Sequence, residues 1–163
     1  GLGDVYKRQG HTVGSKTLKN DCLARFSIPY ESGTLEAVSY DAADHEIGRC
    51  KLQSAGGATS LTLDAEEPAA QTGHLCYVRL RYTDENGITK PLMRGNIQVQ
   101  VRGGTLVGLG SACPFNKHSY LDSETDTYYG EALAIVRMGD GDAMTIAASD
   151  GEYSAELTVS AQA

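Results

Sequence analysis

The chain has 163 residues, enough for one domain or two small ones, with 40% hydrophobic residues and a formal net charge of -7. Its 14 Lys and Arg residues are scattered among 21 Asp and Glu, which argues against a nucleic-acid partner, because phosphate binding needs clustered positive charge. No apolar run approaches the roughly 20 residues that cross a bilayer, and the opening residues do not read as a signal peptide, so no membrane partner is expected.

Asp4-Val-Tyr-Lys-Arg-Gln9 resembles a translated sequencing adaptor, a kind of segment to be set aside before fold reasoning. Residues 1–9 are therefore expected to be a tail without structure, and the chain to be the C-terminal fragment of something longer. Gly10-His-Thr-Val-Gly14 reads as a turn between two strands, its glycines supplying positive φ. Ala24, Phe26 and Ile28 alternate with Arg25 and Ser27 in a strand that Pro29 ends. Thr34 to Tyr40 and Glu46 to Gln53 are two further strands, with Ile47 and Leu52 as expected core contacts. These are too few strands for a self-sufficient sandwich, so residues 10–54 read as the end of a truncated β-sandwich domain. Residues 55–59 read as a linker, within the small, flexible run Ser54-Ala-Gly-Gly-Ala58.

Residues 60–163 read as a second domain. Cys76, Val78, Leu80 and Tyr82 alternate with Tyr77, Arg79, Arg81 and Thr83, the period-2 pattern of a half-buried strand. Asn86-Gly87 suits a turn with two positive φ values. Ile97, Val99 and Val101 make another alternating strand that Gly103-Gly104 stops, and Thr105 to Val107 begins the next. With Ser60–Leu63, Gly130–Arg137, Ala143–Ser149 and Ser154–Val159, seven strands are predicted and no helix. The fold class is all-β: an immunoglobulin-like β-sandwich preceded by part of a second one.

The chain offers several residue types that carry chemistry elsewhere. Glu66-Glu67, Asp84-Glu85 and Asp140/Asp142 could supply a carboxylate pair, but a glycosidase needs two held about 5–10 Å apart in a cleft, and these read as loop residues. His11, His45, His74 and His118 fall in turns or loops, with no Gly-x-Ser-x-Gly elbow. Asp122-Ser-Glu-Thr-Asp126 presents alternate oxygens but lacks the glycine and distal acid of a calcium loop. Cys22, Cys50, Cys76 and Cys113 lack metal-ligand spacing and read as ordinary thiols, with pairing left open. Reduced thiols would suit a cytoplasmic protein. Phe115, Tyr120, Tyr128 and Tyr129 concentrate aromatic area in one loop, read as packing or a domain interface rather than sugar stacking. No catalytic residue, cofactor or metal site is assigned.

Gly104-Thr-Leu-Val-Gly-Leu-Gly-Ser111, Tyr129-Gly-Glu-Ala-Leu-Ala-Ile-Val-Arg137 and Met144-Thr-Ile-Ala-Ala-Ser149 resemble the C-terminal immunoglobulin-like domain of glycoside hydrolase family 2, the β-galactosidase family. The run from Ile28 to Tyr40 is similar to the end of the sandwich domain that precedes it in many of these enzymes. The resemblance implies a parent hydrolysing β-galactosides or related glycosides by a retaining mechanism, with two glutamates on an upstream (β/α)₈ barrel that is not part of this chain. It also implies that these domains pack against that catalytic region and help to shape contacts between subunits. Bacterial adhesin repeats share Leu-x-Gly-x-Gly and Gly-x-Ala strands, so an adhesin-type repeat is the first alternative. A carbohydrate-binding module is the second, weakened by the absence of Trp. On this reading residues 60–163 fold alone, whereas a cooperative thermal transition for residues 10–53 in isolation would contradict it.

Overall fold

The computed structural model describes residues 3–18 and 23–162, and among them it contains strands and no helix. Two compact units divide the chain, Gly1–Ala55 and Gly56–Ala163.

The first unit is a four-stranded antiparallel sheet. Its strands are β1 (Gly3–Arg8), β2 (His11–Thr17), β3 (Thr34–Tyr40) and β4 (Glu46–Gln53), in the order β2-β1-β3-β4. The expectation of an unstructured residue 1–9 tail is overturned, because β1 is an inner strand paired with β2 on one side and β3 on the other. The physical reason lies in its own residues: Val5 and Tyr6 favour extended backbone, and the Tyr6 ring lies 4.3 Å from that of Phe26. The expected turn over Gly10–Gly14 also moves. Gln9 and Gly10 take positive φ, 49° and 82°, and close the β1–β2 hairpin. Gly14 instead sits inside β2 beneath Phe26, where a Cβ would come within 2.8 Å of the ring.

The strand expected over Ala24–Ile28 does not form, and side chains of the sheet hold this segment instead. Arg8 Nη2 donates to the Pro29 carbonyl at 2.6 Å, and Lys16 Nζ donates to the Arg25 carbonyl while lying 5.1 Å from the Phe26 ring centre. Those carbonyls are thereby taken by side chains rather than by a neighbouring strand. Ile47 and Leu52, expected in a core, are 58% and 66% exposed. They lie on β4, an edge strand of the single sheet, and Val38 is the one fully buried apolar residue among the described residues of this unit.

The second unit is an immunoglobulin-like sandwich. It comprises β5 (Ser60–Ala65), β6 (Ala69–Ala70), β7 (Leu75–Thr83), β8 (Asn96–Arg102), β9 (Gly104–Gly110), β10 (Glu124–Asp126), β11 (Glu131–Met138), β12 (Ala143–Ser149) and β13 (Ser154–Ala161). One sheet runs β10-β8-β12-β13-β6 and the other β5-β7-β11-β9. The short strands β6 and β10 are additional to the seven predicted, and they add to the edges of the first of these sheets. The last predicted strands also shift at their ends: Gly130 takes φ 75° in the turn before β11, and β13 continues to Ala161.

The alternation read in the sequence sets the core. Cys76, Val78, Leu80 and Tyr82 of β7 and Ala132, Ala134, Val136 and Met138 of β11 point inward, meeting Ile97, Val99, Met144, Ile146 and Val159 from the opposite sheet. Burying each of the valine, leucine, isoleucine and methionine side chains is worth about 1.5–3 kcal/mol. Tyr82 is the largest of the fully buried side chains, and its hydroxyl donates to the Asp150 carboxylate at 2.5 Å. Asp150 in turn accepts the backbone N–H groups of Glu152 and Tyr153 at 2.9 and 2.7 Å, ordering the β12–β13 turn.

Burial, and then the bond to Asp150, push the Tyr82 phenol well above its ordinary range. Burial works to raise the Asp150 carboxyl, but the Tyr153 N–H, the Tyr82 hydroxyl and the Glu152 N–H together hold it below the usual range. Such a depressed carboxylate stabilises the fold above its unfolded value of about 3.9, a contribution lost as the pH falls through the lower folded value. Urea denaturation is therefore expected to show Tyr82→Phe costing about 1–2 kcal/mol at pH 7. Gly95→Ala is expected to cost more, because its Cβ would overlap the Tyr82 hydroxyl. Asp150→Asn is expected to lessen the further loss of stability below about pH 4.

Candidate functional site

Both outer faces of the sandwich carry polar residues, and one of them carries several apolar ones as well. Along β8, β12 and β13 the outward residues include Gln98, Gln100, Thr145, Glu156 and Thr158, a solvated face of the ordinary kind. The outward residues of β7 and β11 mix apolar Leu75, Tyr77, Leu133 and Ile135 with charged Arg79, Arg81, Glu131 and Arg137. Tyr77 is 40% and Leu133 37% exposed.

A shallow groove of about 600 Å³ lies on this second face. Its floor is Gly108 to Gly110 of β9 together with Leu133 and Ile135 of β11, and Tyr120, Tyr128, Arg79 and Glu131 form its walls. The register explains the floor. Ile135 pairs with Gly108 and Leu133 with Gly110, so two glycines stand where side chains would otherwise fill the surface. Tyr120 is fixed by its backbone, whose carbonyl accepts the Leu109 N–H at 2.8 Å, and its ring occupies the space that a Cβ on Gly110 would need. The Ser111 hydroxyl at the groove, and both amide atoms of Asn116, are buried without a partner.

Of the four loop aromatics, the fold brings Tyr120 and Tyr128 into this groove and leaves Phe115 and Tyr129 exposed. Tyr129, at φ 51°, turns its ring edge-on to Tyr128 with centres 4.5 Å apart. The sequence concentrated these residues correctly, but the groove was illegible because its glycines read only as strand and turn residues.

The acidic candidates are dispersed. Glu66, Glu67, Glu85, Asp140 and Asp142 are exposed in loops. Asp84 is buried and works as a turn organiser: one carboxylate oxygen accepts the N–H groups of Asn86 and Ile88 at 2.8 Å, and the other accepts that of Gly56 at 2.7 Å. The Gly56 bond leads the forces that hold this carboxyl below its ordinary range, against the opposing effect of burial. Beside it, Lys90 Nζ donates to the carbonyls of Gly57 and Ala58 and to the Thr59 hydroxyl at 2.7–3.0 Å. The residues read as a linker are thus clasped to the second unit at 56–59.

His45 pairs with Asp41 at 3.2 Å, and His118 lies 3.4 Å from Glu124 while its Nε2 accepts the Asn96 amide at 3.0 Å. His11 and His74 are exposed. In the stretch from Asp122 to Asp126, Asp122 caps the Ser119 N–H at 2.8 Å and Glu124 faces His118, so the acids do not converge. Among the described residues no three metal-ligating side chains form a group. Cys50, Cys76 and Cys113 are free thiols, Cys76 with its pKa raised first by burial and then by Glu67. Cys22 lies outside the described residues.

Three comparisons bear on what this arrangement belongs to. Residues 60–158 match the model of the glycoside hydrolase family 2 C-terminal domain 5. Among solved structures, a glycosyl hydrolase family 2 member from Bacteroides cellulosilyticus is similar over 97% of this chain and 23% of its own, at 25% identity and a TM-score of 0.89. A β-glycosidase from Bacteroides vulgatus and a β-glucuronidase from glycoside hydrolase family 2 both give a TM-score of 0.84, at 18% and 16% identity, which shows the fold alone. They are covered over 21% and 17% of their chains, so this chain spans less than a quarter of the solved relatives it matches. No curated protein sequence matches.

If Asp84 acts as a turn organiser, Asp84→Ala should speed amide hydrogen exchange at Gly56, Asn86 and Ile88 by roughly tenfold or more while leaving β11 protected. Unchanged exchange at Gly56 would contradict that role.

Proposed function

The chain belongs to the glycoside hydrolase family 2 C-terminal domain 5 family, and from that premise we propose that it is the non-catalytic accessory part of a glycosidase. The parent enzyme hydrolyses O-glycosyl bonds of β-galactosides or related β-glycosides, and its catalytic carboxylates lie on a part of the polypeptide outside this chain. The observation that carries the reading is the family match over residues 60–158, which falls on the complete sandwich.

The physical layout supports an accessory role. The buried carboxylate, Asp84, is consumed by three backbone N–H groups. Asp150 is consumed by Tyr82 and its own turn. Glu131 is the one carboxylate among the residues lining the groove, so no carboxylate pair of the kind glycoside hydrolysis requires stands across it. The partner is then the catalytic region of the same enzyme.

The test is an assay with aryl β-glycosides. The 163-residue chain is expected to release no aryl alcohol from β-galactoside, β-glucoside or β-glucuronide substrates. The same chain joined to the coding region that precedes it in its source DNA is expected to turn over at least one of them. An extended protein inactive on every β-glycoside would contradict the proposal.

A further inference from the structure

We propose that the groove over β9, β11 and β7 binds an acidic pyranose, a sugar ring that carries a carboxylate. Three side chains in one line across the sheet lead to it. Leu133 of β11 pairs with Gly110 of β9 on one side and with Arg79 of β7 on the other. The outward place beside Gly110 is taken by the Tyr120 ring, which lies where a Cβ on that glycine would be. Neighbouring strands are about 4.8 Å apart, so β9 and β7 stand about 10 Å apart with Leu133 between them. A single hexose with its substituents can bridge that span.

Tyr120 supplies the platform. Its backbone carbonyl accepts the Leu109 N–H at 2.8 Å, its ring rests over Gly110, and 60% of the residue stays exposed. An aromatic ring held in this way presents a flat face of negative π density. The C–H bonds along one face of a pyranose carry the complementary partial positive charge. Leu133 and Ile135 continue the apolar floor beneath such a ring.

The charges on the groove select the acid. Glu131 stands opposite Arg81 in the register and accepts the Thr89 hydroxyl at 3.4 Å. Arg81 is itself paired with the Asp64 carboxylate at 2.5 Å. Arg79 lines the groove and, among the described residues, forms no ion pair. Its planar guanidinium can take a carboxylate through two parallel N–H bonds. A neutral sugar would leave that fork to water.

The probe is methyl β-D-glucuronide, titrated into the 163-residue chain while its amide NMR shifts are followed. Saturable shifts are expected at Gly110, Leu133 and Ile135, with a Kd of about 1 mM, the scale of one small ligand on an open surface. Methyl β-D-glucoside carries a hydroxymethyl group in place of the carboxylate. It is expected to bind roughly tenfold more weakly, the loss of one charge-assisted pair. Arg79→Gln is expected to remove that preference and leave both sugars at the weaker value. Tyr120→Ala is expected to abolish saturation by either sugar, and Tyr120→Phe to preserve it.

Absence of saturable shifts up to about 20 mM glucuronide would overturn the proposal. So would equal affinity for the two sugars, or undiminished binding by Tyr120→Ala. Acetate giving the same shifts as the glucuronide would overturn it too, since Arg79 would then hold any carboxylate and the groove no sugar. The comparison of the two sugars uses the unaltered chain, so the preference is decided even where a variant fails to fold. The site belongs to this chain and does not rest on the parent's activity. Binding is read without turnover, so its failure removes the sugar site and leaves the accessory-domain reading standing.

Discussion

The structure depends on the burial of two apolar inner faces against each other in the second unit, and on the phenol that this burial carries into the centre of the core. Tyr82 fills the centre of that core, and its phenol is buried there with its hydroxyl donating a hydrogen bond to the Asp150 carboxylate. Asp150 is available because its own turn, between β12 and β13, holds it by two backbone N–H groups. Gly95 completes the arrangement by leaving room for the hydroxyl. Core packing, a hairpin turn and a glycine far away in sequence are therefore one linked device.

That packing also decides what the two outer surfaces can be. Once alternate residues of β7 and β11 are committed inward, their neighbours must face out, and on this sheet the neighbours alternate Tyr77, Leu133 and Ile135 with Arg79, Arg81, Glu131 and Arg137. The opposite sheet sends out Gln98, Gln100, Glu156 and Thr158. Asp84 and Asp150, carboxylates held in turns, are bound by backbone N–H groups.

Much of the second unit was legible because its strands obey a strict period of two: Cys76 to Thr83 and Ile97 to Arg102 are recognisable on that ground alone. β6 and β10 were not, since two and three residues are too few to show any period. The first unit was read less well. Ala24 to Ile28 alternates as a strand does, yet Lys16 captures the Arg25 carbonyl and Arg8 that of Pro29 just beyond, contacts between distant residues that local pattern cannot reveal. β1 is hidden in the sequence because Asp4 to Gln9 resembles an adaptor, although Val5 and Tyr6 are β-forming residues. Ile47 and Leu52 were assigned to a core because they are apolar, but an edge strand in a single sheet has none to offer. The groove was invisible for a similar reason: it exists because Tyr120 folds over Gly110, ten residues earlier.

The claim at the centre of this account is that a family 2 accessory domain serves a catalytic region elsewhere in the same polypeptide. The most direct measurement is to read the source DNA upstream of this chain. The account predicts an open reading frame that encodes a (β/α)₈ barrel bearing a pair of glutamates ahead of these two units. Tandem copies of the β-sandwich pattern in place of a barrel would contradict it, and would make the chain one repeat of an adhesin-type array.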